Sequence, residues 1–235
     1  MTGRTLTPLV RRAAAEAIGT GFLVAAVIGS GIAASRLSPH DVGLQLLENS
    51  IATGAVLVAL ILALQPVSAA FNPVVTMLER VWGRLTTREA GVLVAAQVGG
   101  AVCGAVVANL MFDLDAVSIS TTHRAGSGHL LGEVVATFGL VLVIFGTLRS
   151  GRVDEVAWAV GGYITAAYWF TSSTSFANPA VTIARMFSDT FAGIAPSSVL
   201  PFVLAQLVGA ALGGVAVHLL FPETQTMTLP EAADA

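Results

Sequence analysis

Phe71-Asn72-Pro73-Val74-Val75-Thr76 and Ala177-Asn178-Pro179-Ala180-Val181-Thr182 are two copies of one short stretch, and their reading decides the fold. In each copy the Asn side-chain oxygen can cap a helix, and Pro follows at the first helical position, where its missing N–H costs nothing. Each stretch is therefore a helix start. Only about ten helix-compatible residues follow each, Val74 to Gly83 and Ala180 to Ser188. Ten residues of helix reach roughly 15 Å, half of a hydrocarbon core of roughly 30 Å. Both starts follow long apolar runs, so two half-membrane helices are expected.

The rest of the chain fits that setting. The 235 residues are 55% hydrophobic and 11% charged, with a mean hydropathy of +0.82; soluble domains carry roughly 25% charged residues. Full spans are expected at Ala13 to Ala34, Leu44 to Leu64, Ala90 to Met111, Leu130 to Leu148, Val156 to Phe170 and Val199 to Phe221. The first is too long for a signal-peptide core and is expected to remain as a span. One half-helix falls between the second and third spans and the other between the fifth and sixth. The reading is an all-α membrane protein of six transmembrane helices plus two re-entrant half-helices.

The halves echo each other beyond the Asn-Pro pair. Glu16 and Thr20 in the first span answer Glu133 and Thr137 in the fourth; Gln97-Val98-Gly99-Gly100-Ala101 answers Gln206-Leu207-Val208-Gly209-Ala210. The whole chain, 1–235, reads as one transmembrane domain, with repeats at about 9–111 and 130–221 joined by a connector at 112–129. Three spans per repeat is an odd number, so the second copy enters from the opposite side and the repeat is inverted. With the N-terminus inside, eight arginines (4, 11, 12, 80, 84, 88, 149 and 152) face the cytoplasm against three (36, 124 and 185) outside. Cytoplasmic loops favour such an excess, so both termini are placed inside. Trp82 and Trp158 are expected at the inner interface, and Tyr168-Trp169 at the outer one.

Irregular backbone at membrane depth must be buried in protein or line a water-filled cavity. Two half-helices meeting N-terminus to N-terminus bring two positive dipole ends to the midplane, which repels cations. Asn72 and Asn178, fixed as caps, would each turn an NH₂ donor toward a passing water or hydroxyl. A water held by both directs its hydrogens along the pore, which interrupts proton relay. Glu16 and Glu133, as intramembrane acids, read either as functional groups or as scaffold. Cys103 stands alone, and His40, His123, His129 and His218 lack metal-ligand spacing, so neither a metal nor a cofactor is expected.

The paired Asn-Pro motifs, six spans and repeated Glu resemble the aquaporin and aquaglyceroporin (major intrinsic protein) family, over about Ala14 to Phe221. The resemblance implies a passive channel, not an enzyme, and a homotetramer in membrane lipid with one pore per subunit and no nucleic-acid partner. It implies a pore midplane built from Asn72, Pro73, Val74, Asn178, Pro179 and Ala180, and a scaffold role for Glu16 and Glu133 as acceptors of loop N–H groups. Val74 departs from the usual Ala and is expected to add bulk where the half-helices touch. Val181 stands where the family carries the Arg of its outer constriction. Counting without gaps from the two Asn residues puts the other constriction positions at Ala52, Ala166 and Ser175. Such a ring is wide, weakly polar and uncharged. Arg185 reads either as a substitute for that Arg, one turn further out, or as a helix-end residue near Asp189.

The stretch from Phe176 to Arg185 also resembles a bacterial subgroup associated with arsenic resistance. The expected location is thus a bacterial inner (plasma) membrane, and the expected cargo small neutral solutes: water, glycerol and neutral metalloid species such as arsenite. Two rivals stay open at this point. A secondary transporter would also use inverted repeats and broken helices, but its flux would depend on an ion gradient; a closed structural membrane protein would pass nothing.

Overall fold

Glycines let the main helices approach backbone to backbone, and their placement repeats between the two halves. The computed structural model describes residues 7–124 and 126–222, all helix and loop with no strand among them. The elements are α1 (Pro8–Leu37), α2 (Val42–Leu64), α3 (Pro73–Val81), α4 (Thr87–Met111), α5 (Ser127–Arg149), α6 (Val156–Phe170), α7 (Pro179–Ala184) and α8 (Pro196–Leu220). Short 3₁₀ turns precede α6 and follow α7.

Helix α1 packs on α4, and α5 packs on α8. A Cβ added at Gly100 would lie 2.1 Å from the Ala17 carbonyl oxygen, and one at Gly209 would lie 2.5 Å from that of Val134. Ala17 and Val134 are the residues after Glu16 and Glu133, so the two contacts correspond across the repeat. Helices α2 and α6 meet through Gly54 and Gly161 in the same way. Lipid offers no hydrophobic gain for helix association, and small residues at the crossings allow the dispersion contacts that replace it. Gly100→Val is expected to push α1 from α4 at a cost of about 1–3 kcal/mol; a thermal melt in detergent lowered by several degrees checks this.

Among the described residues five helices, α1, α2, α4, α5 and α8, are long and apolar enough to cross a membrane. The sixth span, α6, has 15 residues and is roughly 22 Å long. The half-helices are α3, with nine residues, and α7, with six followed by the 3₁₀ turn Arg185–Phe187. Both carry Asn at the N-cap and Pro at the first turn: Asn72 Oδ1 accepts from Val74 N at 3.1 Å, and Asn178 Oδ1 from Ala180 N at 3.0 Å. The fold is therefore an inverted repeat, α1–α4 followed by α5–α8.

Helix α5 begins at Ser127, after a Gly126 N-cap, so the link between repeats ends three residues earlier than its sequence suggests. It also does more than connect. Ser118 N and Ser120 N donate to the Phe187 and Met186 carbonyls at 3.1 and 2.9 Å, and Ala195 N donates to Thr122 O at 2.7 Å. The link thereby holds the C-terminal end of the second half-helix. The predicted interface aromatics divide. Trp158 is exposed, while Trp82 packs edge-on against Phe145. Trp169 donates to Ser50 Oγ at 3.1 Å. Tyr168 is buried in the protein interior, because its position on α6 faces inward.

Candidate solute pathway

The two repeats are tied together by their Asn caps, each of which reaches the backbone of the other copy. Asn72 Nδ2 donates to Ala177 O at 2.8 Å, and Asn178 Nδ2 donates to Phe71 O at 2.7 Å. These carbonyls are turned inward because Phe71 and Ala177 have positive φ, 46° and 47°. A non-glycine residue in that region carries about 1 kcal/mol or more of strain and persists only where its surroundings over-determine it. Here both ends of each residue are held: Phe71 N donates to Glu16 Oε2 at 2.7 Å and Ala177 N to Glu133 Oε2 at 2.9 Å.

The two glutamates are fully buried and saturated with donors. Glu16 also accepts from Ala70 N at 2.9 Å, Ser68 Oγ at 2.5 Å and Gln97 Nε2 at 2.8 Å. Glu133 also accepts from Phe176 N at 2.9 Å and Gln206 Nε2 at 2.5 Å. Each Gln in turn donates to the Thr that closes a quoted stretch, Gln97 to Thr76 and Gln206 to Thr182, both at 2.8 Å. The roles of the two Gln and two Thr were missed in the sequence, although their recurrence at matching places was the signal.

Between α1, α2, α5, α6 and the half-helices runs a cavity of about 90 Å³. Its walls are mostly aliphatic, with Leu23, Leu57, Leu140 and Ile164 among them, interrupted by a few polar groups. Asn72 and Asn178 face it, each with a second amide N–H beyond the one given to the opposite repeat. Pro73, Val74, Pro179 and Ala180 are buried at the half-helix starts but do not line it. Val74 belongs instead to an apolar cluster with Val141 and Phe145 of α5 and Ala210 of α8. Its bulk is taken up behind the half-helix, away from the pathway.

Of the four expected constriction positions, Ser175 and Val181 line the cavity, but Ala52 and Ala166 do not. Ala166 is exposed on the outside of α6, and Thr53 and Tyr168 occupy the wall instead. The ungapped count is displaced by one residue on α2 and by two on α6, enough on a helix to turn a side chain out of the pathway. Thr53 Oγ1 and Tyr168 OH are 3.1 Å apart and hydrogen-bonded. Ser175, at φ 51°, presents an Oγ with no protein partner among the described residues. The cavity wall near Val181 thus carries a phenol and two further hydroxyls, from Tyr168, Thr53 and Ser175.

Arg185 is the other departure. It is buried, lines the cavity, lies with its guanidinium carbon 3.4 Å from the centre of the Phe176 ring, and donates from Nε to Ala192 O. Asp189, its expected neighbour in charge, is engaged elsewhere: it accepts from Thr121 N at 2.9 Å and Thr121 Oγ1 at 3.1 Å. Arg185 stands in the 3₁₀ turn after Ala184, and its side chain reaches the cavity wall and the Ala192 carbonyl of the following loop rather than Asp189.

Comparison with known proteins agrees with this architecture. The model of the family described as major intrinsic protein matches residues 4–154 and 148–234. The chain is 49% identical over 229 residues to the aquaglyceroporin AqpS of Rhizobium meliloti (strain 1021), covering 96% of this chain and 97% of that protein. It is 30% identical over 226 residues to aquaporin Z of Rhodopseudomonas palustris, covering 89% and 92% of the two. Among solved structures, the aquaglyceroporin from Plasmodium falciparum superposes with a TM-score of 0.66 at 20% identity, covering 92% of this chain and 96% of that one. That similarity bears on the fold.

Proposed function

The chain belongs to the major intrinsic protein family, and we infer that it is a passive channel conducting water and glycerol across a membrane. The observation that carries this reading is the reciprocal Asn72–Ala177 and Asn178–Phe71 bonding at the head-to-head half-helix starts. It fixes two amide donors in a largely aliphatic passage, which suits solutes that cross by exchanging a few hydrogen bonds. Ion-coupled transport is disfavoured by the same geometry. Glu16 and Glu133 have both oxygens committed to loop and Gln donors, and among the described residues the cavity wall holds no carboxylate.

The outer constriction is assigned to Thr53, Tyr168, Ser175 and Val181. Its three hydroxyls, beside aliphatic walls, suit a solute with several hydroxyl groups, so neutral metalloid hydroxides such as arsenous acid join glycerol as proposed cargo. The arginine distribution supports a bacterial inner-membrane location with both termini cytoplasmic. The homotetramer remains part of the proposal on the strength of the family.

Stopped-flow light scattering on proteoliposomes tests the function. Water and glycerol permeability above lipid background, unchanged when proton or sodium gradients are collapsed, is the expected result; a flux that needs either gradient would overturn it. Tyr168→Ala is expected to raise glycerol permeability several-fold and water permeability less. It removes both the ring and a hydrogen bond worth about 1 kcal/mol. An unaltered ratio of the two would remove Tyr168 from the constriction.

A further inference from the structure

We propose that Arg185 is the charge-selecting residue of this pore and keeps cations out from a place one helical turn beyond Val181. The inference rests on the channel reading above and adds which side chain sets its charge selectivity. Four observations carry it. Arg185 is almost wholly buried, yet it lines the cavity. Its Nε is held by Ala192 O and its plane lies over Phe176, so the guanidinium is fixed rather than free to swing. Among the described residues no protein acceptor takes Nη1 or Nη2, which leaves those donors to the passage. Among the described residues no carboxylate forms an ion pair with it: Asp189 is bonded to Thr121, and Glu133, whose charge acts on it only from a distance, is bonded to the loop amides.

The electrostatic consequence follows from position. A fixed cation beside a narrow passage of low dielectric acts over several ångströms with little screening. It adds to the positive ends of the two half-helices further in. A potassium ion arriving from outside meets the guanidinium before it meets the dipoles. Water and polyols meet a donor to which they can hydrogen-bond. Arg124 also lies on Phe176, 5.2 Å from the ring centre, but gives its Nε to Gly193 O at 2.8 Å and does not line the cavity. Its guanidinium is taken up by the Gly193 and Phe191 carbonyls, which makes it a control for a nearby charge outside the passage. The loss of Arg at the position of Val181 is therefore offset by a guanidinium reaching in from the 3₁₀ turn, held by Phe176.

The test compares potassium conductance in planar bilayers for the wild-type chain, Arg185→Met, Arg185→Gln, Arg185→Lys and Arg124→Gln. Water flux in proteoliposomes reports that each is folded and inserted. Met and Gln are expected to raise potassium conductance by about tenfold or more, the factor that follows from removing 1.4 kcal/mol of barrier. Lys, which keeps the charge, is expected to stay near wild type, and so is Arg124→Gln. The two neutral variants guard against one of them failing to insert. Water-conducting Met and Gln variants that still exclude potassium would overturn the proposal and leave the half-helix dipoles as the barrier. So would a Lys variant that leaks like Met, or an Arg124→Gln variant that leaks as much. A wild-type chain passing neither water nor glycerol would strike down the channel reading instead.

Discussion

Glu133→Leu is expected to abolish most of the folded yield, whereas Glu133→Gln should retain a folded channel of reduced stability. The carboxylate accepts from Phe176 N, Ala177 N and Gln206 Nε2 in a place that water does not reach. Leucine leaves these donors without a partner, and each unsatisfied buried donor costs about 1–3 kcal/mol. The combined loss, about 3–5 kcal/mol when one member of a buried charged network is removed, is comparable with the whole stability of many proteins, about 5–15 kcal/mol. It also frees Ala177, whose positive φ is held by that bond and whose carbonyl receives Asn72. Glutamine keeps one acceptor and turns an amide donor toward another donor, so part of the network survives. The monodisperse fraction in detergent and the melting temperature measure both effects, and Glu16→Leu should behave alike because Phe71 is held in the same way. A Leu variant that melts like wild type yet transports nothing would make these acids transport groups and revive the coupled-transporter reading.

Val181→Arg is expected to raise the ratio of water to glycerol permeability by about tenfold, the effect of roughly 1.4 kcal/mol added to one barrier and not the other. Val181 lines the cavity together with the hydroxyl pair of Thr53 and Tyr168, and stands on α7 four residues before Arg185. A second guanidinium there would narrow the passage and place two like charges a turn apart, so the new side chain should extend into the lumen. Glycerol then loses room that water does not need. Stopped-flow measurements on both solutes at matched protein density give the ratio. A flat ratio in a folded variant would mean that residue 181 does not bound the narrowest part of the path.

Much of this molecule is legible in its amino-acid sequence. Asn followed by Pro is a local signal, set by side-chain capping and a fixed φ, and both half-helices begin where those residues stand. The six spans follow from apolar run lengths, and the observed helices differ from them mainly by a turn at the ends. There, Thr86 with Glu89 forms a capping box that begins α4 ahead of the apolar run. The inverted repeat follows from counting. The scaffold role of the glutamates was implied by resemblance, and the Gln and Thr that complete it recur in order in both halves.

Tertiary structure alone decided which side chains meet in the pathway. An α-helix turns about 100° per residue, so a displacement of one or two positions in alignment separates Thr53 and Tyr168, which face the cavity, from Ala52 and Ala166, which do not. Nothing in a local window fixes that rotation. It is set by Gly54 seated against Gly161 where α2 crosses α6. Arg185 is the same case at a helix end. Its sequence context, four residues before Asp189, favours a surface ion pair. Its direction is set by a 3₁₀ turn, by Ala192 O and by the Phe176 ring, partners brought together by the loop that the first repeat lays across the second. Periodicity, capping and repetition act within a few residues and determined the architecture; helix rotation and loop packing act across the chain and determined the walls of the pore.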